Sequence, residues 1–599
     1  MDNKKTMYYD YNNKLKVKDK IFTPQNGVSL KEGIFKKAFD NNRTFLKTLN
    51  IDSMLYWFRV KNGRPAPGEP YRGHFEDNIK GQTAGMYMMG AGNTLKWQED
   101  AELRNTIDEI VNCIEECSEP DGYLMAVPKK DFGRREYPHY VRIWLNYGLT
   151  AAAFGGNNKA FKILRKWQDW FNKCDELPII KYLELSFQGI VASTSVYMTP
   201  AGTQDDIDVS VKYYEEDWRL AQFILKERDA IHIRKQPGRE PHPHGTELES
   251  FEGYLDLYRA TGKHYYLNAV MGAYELYKQD WQHHGGGIVM CENIDTYPGC
   301  YRLTPGKGYN ELCCTSFWIG LNQRLHRLFP EEEKYVNEIE ESLYNICIAS
   351  QDGSTGIRYF SWLDGHKCES KKVTCCCGVG TKIYGSLPEY LYSVSEEDIY
   401  LDIYSASKLE WNHNGNIVCV ETETNMPYNG AIRLKVSSSS PDRFKLHFRI
   451  PSWTDGIVDV RLNGIKVLEG KPGSYCKVDR IWSGKDNNSS SDIVEFTLPM
   501  TFRWRKYTGM NEIEGFDRYS FMYGPMLYTV KGNIEVNEQG TSFEIDKPYD
   551  RINEWIVPST KPITFLIDGK PGYEWVPYFE IKDENFTCFP CFRKKANPY

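Results

Sequence analysis

From about Leu30 to about Tyr392 the apolar positions recur at helical spacing, and the helical segments end in a repeated punctuation. A turn with glycine or proline comes first, then polar residues, then an aromatic or leucine that opens the next helix. Met89-Gly90-Ala91-Gly92-Asn93 before Leu95 and Trp97 is one case, and Phe154-Gly155-Gly156-Asn157 before Phe161 a second. Tyr258-Arg259-Ala260-Thr261-Gly262 before Tyr265, and Leu328-Phe329-Pro330 before Tyr335, are two more. Such units predict a solenoid or a closed ring of helical hairpins. Their uneven lengths and long connections favour the ring, an (α/α)6 toroid. Loops such as Lys61 to Gly73 and Arg234 to Gly245 are too irregular for core and are expected to line one mouth.

After about Ser393 the period falls to two. Ile399-Tyr400-Leu401-Asp402-Ile403-Tyr404, Ile417-Val418-Cys419-Val420-Glu421 and the run from Phe444 to Ile450 alternate. Turn signals at Asn412 to Asn416, Asn463-Gly464 and Lys471-Pro472-Gly473 separate them, which reads as a β-sandwich. The polar run from Lys485 to Ser491 reads as a surface loop. The pattern describes an α+β multidomain chain with four parts. They are an N-terminal segment (1–30), a helical domain (31–392), a β-sandwich (393–505) and a second β-sandwich unit (506–599). The N-terminal segment is expected to pair with the C-terminal β domain.

Composition narrows the partners. A formal charge of −7 leaves no basic excess to neutralise phosphates, which argues against nucleic acid and anionic membranes. No segment is long and apolar enough to span a bilayer, and Met1 to Asp10 has no apolar stretch of signal type. Sixteen cysteines without such a signal predict a reducing cytosol, with free thiols or metal ligation in place of disulfides. The 14% aromatic content suits large cores, and equally a cleft where rings stack on sugar C–H faces.

The chemistry concentrates at a few positions. Cys375-Cys376-Cys377 runs into Gly378-Val379-Gly380, read as a glycine-rich turn carrying thiols. Upstream stand Glu311-Leu312-Cys313-Cys314, and before them Gly285-Gly286-Gly287 leading to Glu292. Together they offer thiolates, a carboxylate for a metal and a second carboxylate for proton transfer. A blander reading has a zinc ion that only staples the last helix, with Glu292 as a surface carboxylate. Among twelve histidines, His244 in His242-Pro243-His244 and His139 after Tyr137-Pro138 are candidates for binding sugar hydroxyls. His283-His284 reads as a helix cap. Cys588-Phe589-Pro590-Cys591 reads as structural or incidental.

Several strings, in order, resemble the β-L-arabinofuranosidase glycoside hydrolases of families 127 and 146. They include Asn42-Arg43-Thr44-Phe45-Leu46, Leu55-Tyr56-Trp57-Phe58-Arg59, Pro120-Asp121-Gly122-Tyr123-Leu124, Leu343-Tyr344-Asn345 and Ala349-Ser350-Gln351. In the β region they are Arg449-Ile450-Pro451-Ser452-Trp453, the run from Tyr523 to Tyr528, and Val576-Pro577-Tyr578. The resemblance implies a Zn2+ site made by Glu311, Cys313, Cys375 and Cys376, with Cys375 as nucleophile and Glu292 as acid/base of a retaining glycosidase. The cysteine register 376/377 stays open beside 375/376. His244 is the implied substrate-binding residue, and His139 stays a candidate beside it.

Departures are Gly81-Gln82-Thr83-Ala84-Gly85-Met86 where the family shows a histidine pair, and Lys382 in place of a glutamate. A third is Gly245-Thr246-Glu247 after His244. They bear on the sugar more than on the reaction. The expected activity is cytosolic hydrolysis of a small oligosaccharide or glycoside. The rivals are a zinc-stapled carbohydrate-binding or scaffold protein without turnover, and a toroid lyase or epimerase acting on uronates. Linkage preference and oligomeric state are not legible.

Overall fold

Among the described residues helices dominate up to Gly385 and strands beyond it. The computed structural model describes residues 11–24, 26–181, 188–215, 247–288, 302–303, 310–482, 491–537 and 540–594. The principal helices are α1 (Ile34–Lys47), α2 (Ile51–Lys61), α3 (Gln82–Trp97), α4 (Ala101–Cys117), α5 (Arg142–Phe154), α6 (Ala160–Asn172) and α7 (Gly189–Tyr197). They continue with α8 (Gln204–Val209), α9 (Glu247–Thr261), α10 (His264–Leu276), α11 (Leu312–Leu328), α12 (Glu333–Ser342) and α13 (Cys375–Gly385).

Local chemistry starts several of them. Asn50 caps α2 by accepting from the Ser53 N–H, and Asp100 caps α4 by accepting from those of Glu102 and Leu103. Helix α6 buries Ile163, Leu164, Trp167 and Phe171 and exposes Lys162 and Lys166, the stripe of an amphipathic helix. The turns read at Gly155-Gly156, Gly262 and Phe329-Pro330 separate helices as expected.

Gly90 and Gly92 do not form a turn; both lie inside α3. The reason is packing. A Cβ on Gly85 would stand 2.6 Å from the Trp144 carbonyl oxygen, and one on Gly92 2.4 Å from that of Ala151, both in α5. A Cβ on Gly90 would stand 2.3 Å from Thr381 Oγ1 in α13. These glycines let three helices approach closely, which outweighs the helix propensity they forfeit.

Helix α3 packs on α5, α5 on α7, α7 on α9, α9 on α11, α11 on α13, and α13 packs on α3. Each of the six also contacts a further helix: α4 on α3, α6 on α5, α8 on α7, α10 on α9, α12 on α11 and α1 on α13.

The β region opens with two facing sheets. The strands are β1 (Val28–Leu30), β2 (Tyr392–Val394), β3 (Asp398–Leu401), β4 (Ser407–His413), β5 (Asn416–Thr424) and β6 (Ala431–Ser438). Then come β7 (Asp442–Ile450), β8 (Val458–Leu462), β9 (Ile465–Gly470), β10 (Ser474–Trp482) and β11 (Asp492–Thr497). One sheet runs β1-β4-β5-β6-β11-β8-β9 and the other β10-β7-β3-β2. In β6, Ile432, Leu434 and Val436 are buried while Ala431 and Arg433 are exposed, so the period-two pattern has its cause in one buried face. Asn414 (φ 51°) and Gly415 (φ 92°) turn the β4–β5 hairpin, and Asn463 and Gly464 turn β8 into β9. A further sheet, in which Phe516–Tyr523 pairs with Met526–Lys531, lies toward the C-terminus.

The N-terminal strand joins the first β unit, not the last. Val28 pairs with Leu409 on β4, and Phe22 bridges to Val394. Gly27 permits this, because a Cβ there would meet the Glu410 carbonyl oxygen at 2.0 Å. All of the 485–491 polar run except Ser491, and the whole 234–245 loop, lie outside the described residues.

The Arg-Ile-Pro-Ser-Trp string ties the helical and β regions together. Arg449 is fully buried and ion-pairs with Glu340 of α12, which also accepts from Trp453 Nε1 (2.7 Å). The Ser452 N–H donates to Glu333 Oε1 at 3.2 Å. No helix among the described residues is long and apolar enough to cross a membrane.

Candidate functional site

Two helices begin side by side. Glu311 immediately precedes α11, and Cys313 is the second residue of that helix. Cys375 and Cys376 are the first two residues of α13, which Thr374 caps by accepting from the Cys377 N–H at 3.1 Å. A carboxylate oxygen of Glu311 and the Sγ atoms of Cys313, Cys375 and Cys376 consequently lie within 4.8 Å of one another, all four residues buried. Cys313 Sγ is 3.4 Å from Cys376 Sγ, and Cys376 Sγ is 3.7 Å from Glu311 Oε1. The Cys314 thiol donates to the other carboxylate oxygen at 3.7 Å.

Cys377 is not in this group. Its sulfur accepts from Thr374 Oγ1 at 3.2 Å and donates to the Lys371 carbonyl at 3.3 Å. The expected glycine-rich turn is itself helix: Gly378 and Gly380 belong to α13, where a Cβ on Gly378 would press on the Met86 side chain at 2.8 Å.

Burial first, and the neighbouring Cys375 after it, pushes the Cys313 and Cys376 thiols well above the usual thiol range. Two helix N-termini favour anions only modestly, so ionising the set calls for a cation. Three sulfurs and a carboxylate can hold one metal ion in four-coordination, for which metal–sulfur bonds of about 2.3 Å set sulfurs about 3.8 Å apart. Dialysis against a strong chelator should therefore remove about one metal ion per chain, in keeping with four ligands per ion, and lower the thermal midpoint by several degrees. Elemental analysis and calorimetry check this. A chain purified without metal, melting alike before and after chelation, would count against it.

Around Cys375 the neighbours are tyrosines. Its Sγ is 3.2 Å from Tyr359 Oη, and burial, with Cys375 and Cys313 close by, raises the pKa of Tyr140 well above the usual phenol value. Nothing in the sequence distinguishes Tyr140 or Tyr359 among forty-one tyrosines. His139 is buried in the turn Tyr137–Val141 ahead of α5, with Nε2 3.1 Å from Tyr214 Oη.

The glycines at 285–287 serve backbone approach. Gly285 (φ 110°) and Gly286 (φ 91°) are left-handed, and their carbonyls accept from Asn345 Nδ2 (3.1 Å) and Ser342 Oγ (2.8 Å). A Cβ on Gly287 would meet Asn310 at 2.5 Å, so this strand of chain runs against the residue that precedes Glu311. His283 is no helix cap. Its Nδ1 faces the His284 carbonyl and Asn310 donates to its Nε2, while burial lowers its pKa to about 4.

Glu292 and His244 lie outside the described residues. At the departures, Gln82 begins α3 beneath a cap made by Glu76, which accepts from the Gly81 and Thr83 N–H groups. Lys382 Nζ stands 5.2 Å over the Tyr147 ring. Cys588 and Cys591 are buried in the last sheet region and, among the described residues, join no metal-type group.

The family description "Beta-L-arabinofuranosidase, GH127 catalytic domain" matches residues 27–389, and that of the middle domain of the same family matches 398–500. No curated protein matches the chain. Among solved structures, a GH127 β-L-arabinofuranosidase from Geobacillus stearothermophilus T6 is similar at 17% identity and a TM-score of 0.73, over 94% of this chain and 100% of that one. A GH127 β-arabinofuranosidase is similar at 18% identity and 0.74, over 96% and 98%. A third structure, described as a glycoside hydrolase, is similar at 15% identity and 0.69, over 98% and 99%.

Proposed function

The chain belongs to the β-L-arabinofuranosidase family of glycoside hydrolases, family 127, and from that premise we propose a retaining, zinc-dependent enzyme with a cysteine nucleophile. It acts on β-L-arabinofuranosides of small glycosides in the cytosol. Its catalytic domain (31–392) is an (α/α)6 toroid, supported by the circuit of contacts α3-α5-α7-α9-α11-α13-α3 and the second helix on each member. Two β-sandwich units (393–505 and 506–599) follow, and residues 1–30 form the N-terminal segment.

The observation that carries this reading is the convergence of Glu311, Cys313, Cys375 and Cys376 at the starts of two adjacent helices. When bound by these four residues, zinc supplies the positive charge that keeps their sulfurs ionised at neutral pH. Cys375 is the attacking sulfur, with Tyr359 holding it by a hydrogen bond. Its lone pair forms a bond to the sugar C1 while the C1–O bond to the leaving group breaks. Glu292 gives its proton to the departing oxygen. It then takes a proton from the water that attacks C1, and the electrons of the C–S bond return to Cys375. His139 and His244 hold sugar hydroxyls. The Gly285 to Ile288 stretch, which precedes Glu292 in the sequence, lies against Asn310, the residue before Glu311.

A mechanism-based inactivator of β-L-arabinofuranose configuration tests the reading. Peptide mass spectrometry should find its mass added to Cys375. An adduct on another residue, or inactivation without adduct, would overturn the assignment.

A further inference from the structure

We propose that Lys382 is a substrate-binding residue: it stands one level deeper than Cys375 inside the ring of helices and donates to the exocyclic hydroxyl of the bound sugar. The inference rests on the reading above that Cys375 attacks C1.

The two levels follow from helix geometry. Seven residues make close to two full turns, so residues seven apart share a face. Lys382 therefore lies below Cys375 on α13, roughly 10 Å along the helix axis. Tyr147 of α5 lies in the same way below Tyr140, which sits in the turn leading into that helix. Cys375 and Tyr140 are neighbours on the upper level. On the lower level Lys382 Nζ is 5.2 Å from the centre of the Tyr147 ring. Long side chains lean toward the N-terminus of their helix, which brings the lower level closer to Cys375.

These residues meet inside the ring. In the circuit of contacts α5, α9 and α13 are alternate members, so their side chains can join only across the space the ring encloses. Glu249 and Glu252 of α9 lie beside Tyr147, and Lys382 is near enough to both to favour their charged forms. Lys382 and Tyr147 are each half-buried, so the space is open at this level.

The lower level has unfilled hydrogen-bonding capacity. Lys382 carries three donors, yet among the described residues its ammonium meets only the Tyr147 ring, with no acceptor and no ion-pair partner. The two carboxylates are already held. Glu249 accepts from Gln188 Nε2 at 2.5 Å, and Glu252 ion-pairs with Arg324 of α11. Gly320 makes room for Glu252, since a Cβ there would stand 2.3 Å from Glu252 Oε1. Gln188, just ahead of α7, is 1% exposed, and its Oε1 has no hydrogen-bond partner. A buried amide oxygen left without a donor is costly, and a ligand hydroxyl relieves it.

Charge selects a hydroxyl over an acid. Glu249, Glu252, Asp256 and Asp19 stand with Lys382, Arg324 and Arg259, four carboxyl groups to three cations. No positive excess is left to draw in a uronate. A hydroxyl suits the level better, because it accepts from Lys382 and has a proton to give to Gln188 Oε1. With C1 at the sulfur, the group that reaches furthest across a furanose ring is the hydroxymethyl on C4, and its oxygen is the one Lys382 binds.

The test compares an aryl β-L-arabinofuranoside with its 5-deoxy analogue on the metal-loaded enzyme. Wild type should lose about tenfold in kcat/KM on the deoxy substrate, the scale of one hydrogen bond to a charged group. Lys382→Met should lose a similar factor on the parent substrate, through KM more than kcat, and less than about twofold on the deoxy one. Lys382→Arg should retain part of the discrimination. Equal losses on both substrates in Lys382→Met would mark a structural role and overturn the proposal. So would a wild type indifferent to the 5-hydroxyl, a result that decides even if the variants do not fold. The Cys375 adduct is read by mass on wild type, so failure of that assignment shows itself apart from failure of this one.

Discussion

Cys375→Ser is expected to lower turnover of an aryl β-L-arabinofuranoside by roughly a thousandfold or more, while the protein still folds and melts no lower than the chelated wild type. A serine hydroxyl is a far weaker nucleophile than a metal-paired thiolate. The local fold should survive because the cap on α13 comes from Thr374 and not from the replaced side chain. Cys377→Ser is the matched control. Its sulfur faces Thr374 and the Lys371 carbonyl, partners that a hydroxyl can keep, so most of the activity should remain. Steady-state kinetics and calorimetry on both variants decide. Full turnover in Cys375→Ser, or its loss only in Cys377→Ser, would reject the nucleophile and restore the other cysteine register. Glu292→Gln extends the experiment: the loss should be least with substrates whose leaving group needs no proton.

The second large effect is on stability. Arg449→Met should destabilise the protein by about 3–5 kcal/mol, because it strands the carboxylate of Glu340 in a buried site with Trp453 as its remaining close partner. Arg449 and Glu340 are both fully buried, so water cannot replace the lost partner. The pair joins strand β7 to helix α12, so a drop in the denaturation midpoint should come with earlier separation of the helical and β regions. Arg449→Met combined with Glu340→Met should recover part of the loss, since an apolar pair leaves no uncompensated charge. Urea unfolding followed by tryptophan fluorescence and by circular dichroism measures both. An unchanged midpoint in the single variant would show that the pair holds nothing together.

What could be read in advance follows from how local each signal is. Strand β5 announced itself because Val418, Val420 and Thr422 are buried while Ile417 is exposed, a period-two cause contained in nine residues. The β4–β5 turn was legible because Asn414 and Gly415 tolerate the left-handed backbone the hairpin needs. The same local logic misled at Gly90 and Gly92, whose backbone is ordinary helix and whose missing side chains answer to α5 and α13. It misled again at Gly378, and at the N-terminal segment, which Gly27 admits to β4.

By itself the amino-acid order determined the change from helical to sheet periodicity, the hairpin turns and the residue types able to bind a soft metal. Those depend on backbone preferences and donor chemistry that each residue carries with it. Tertiary structure alone decided which thiols meet. Successive residues on a helix point about 100° apart, so the packing of α13 on α11 selects Cys375 and Cys376 and turns Cys377 to its own loop. It also set Tyr359 on Cys375 and Tyr214 on His139 across 16 and 75 residues of chain, contacts that exist only once the helices have packed.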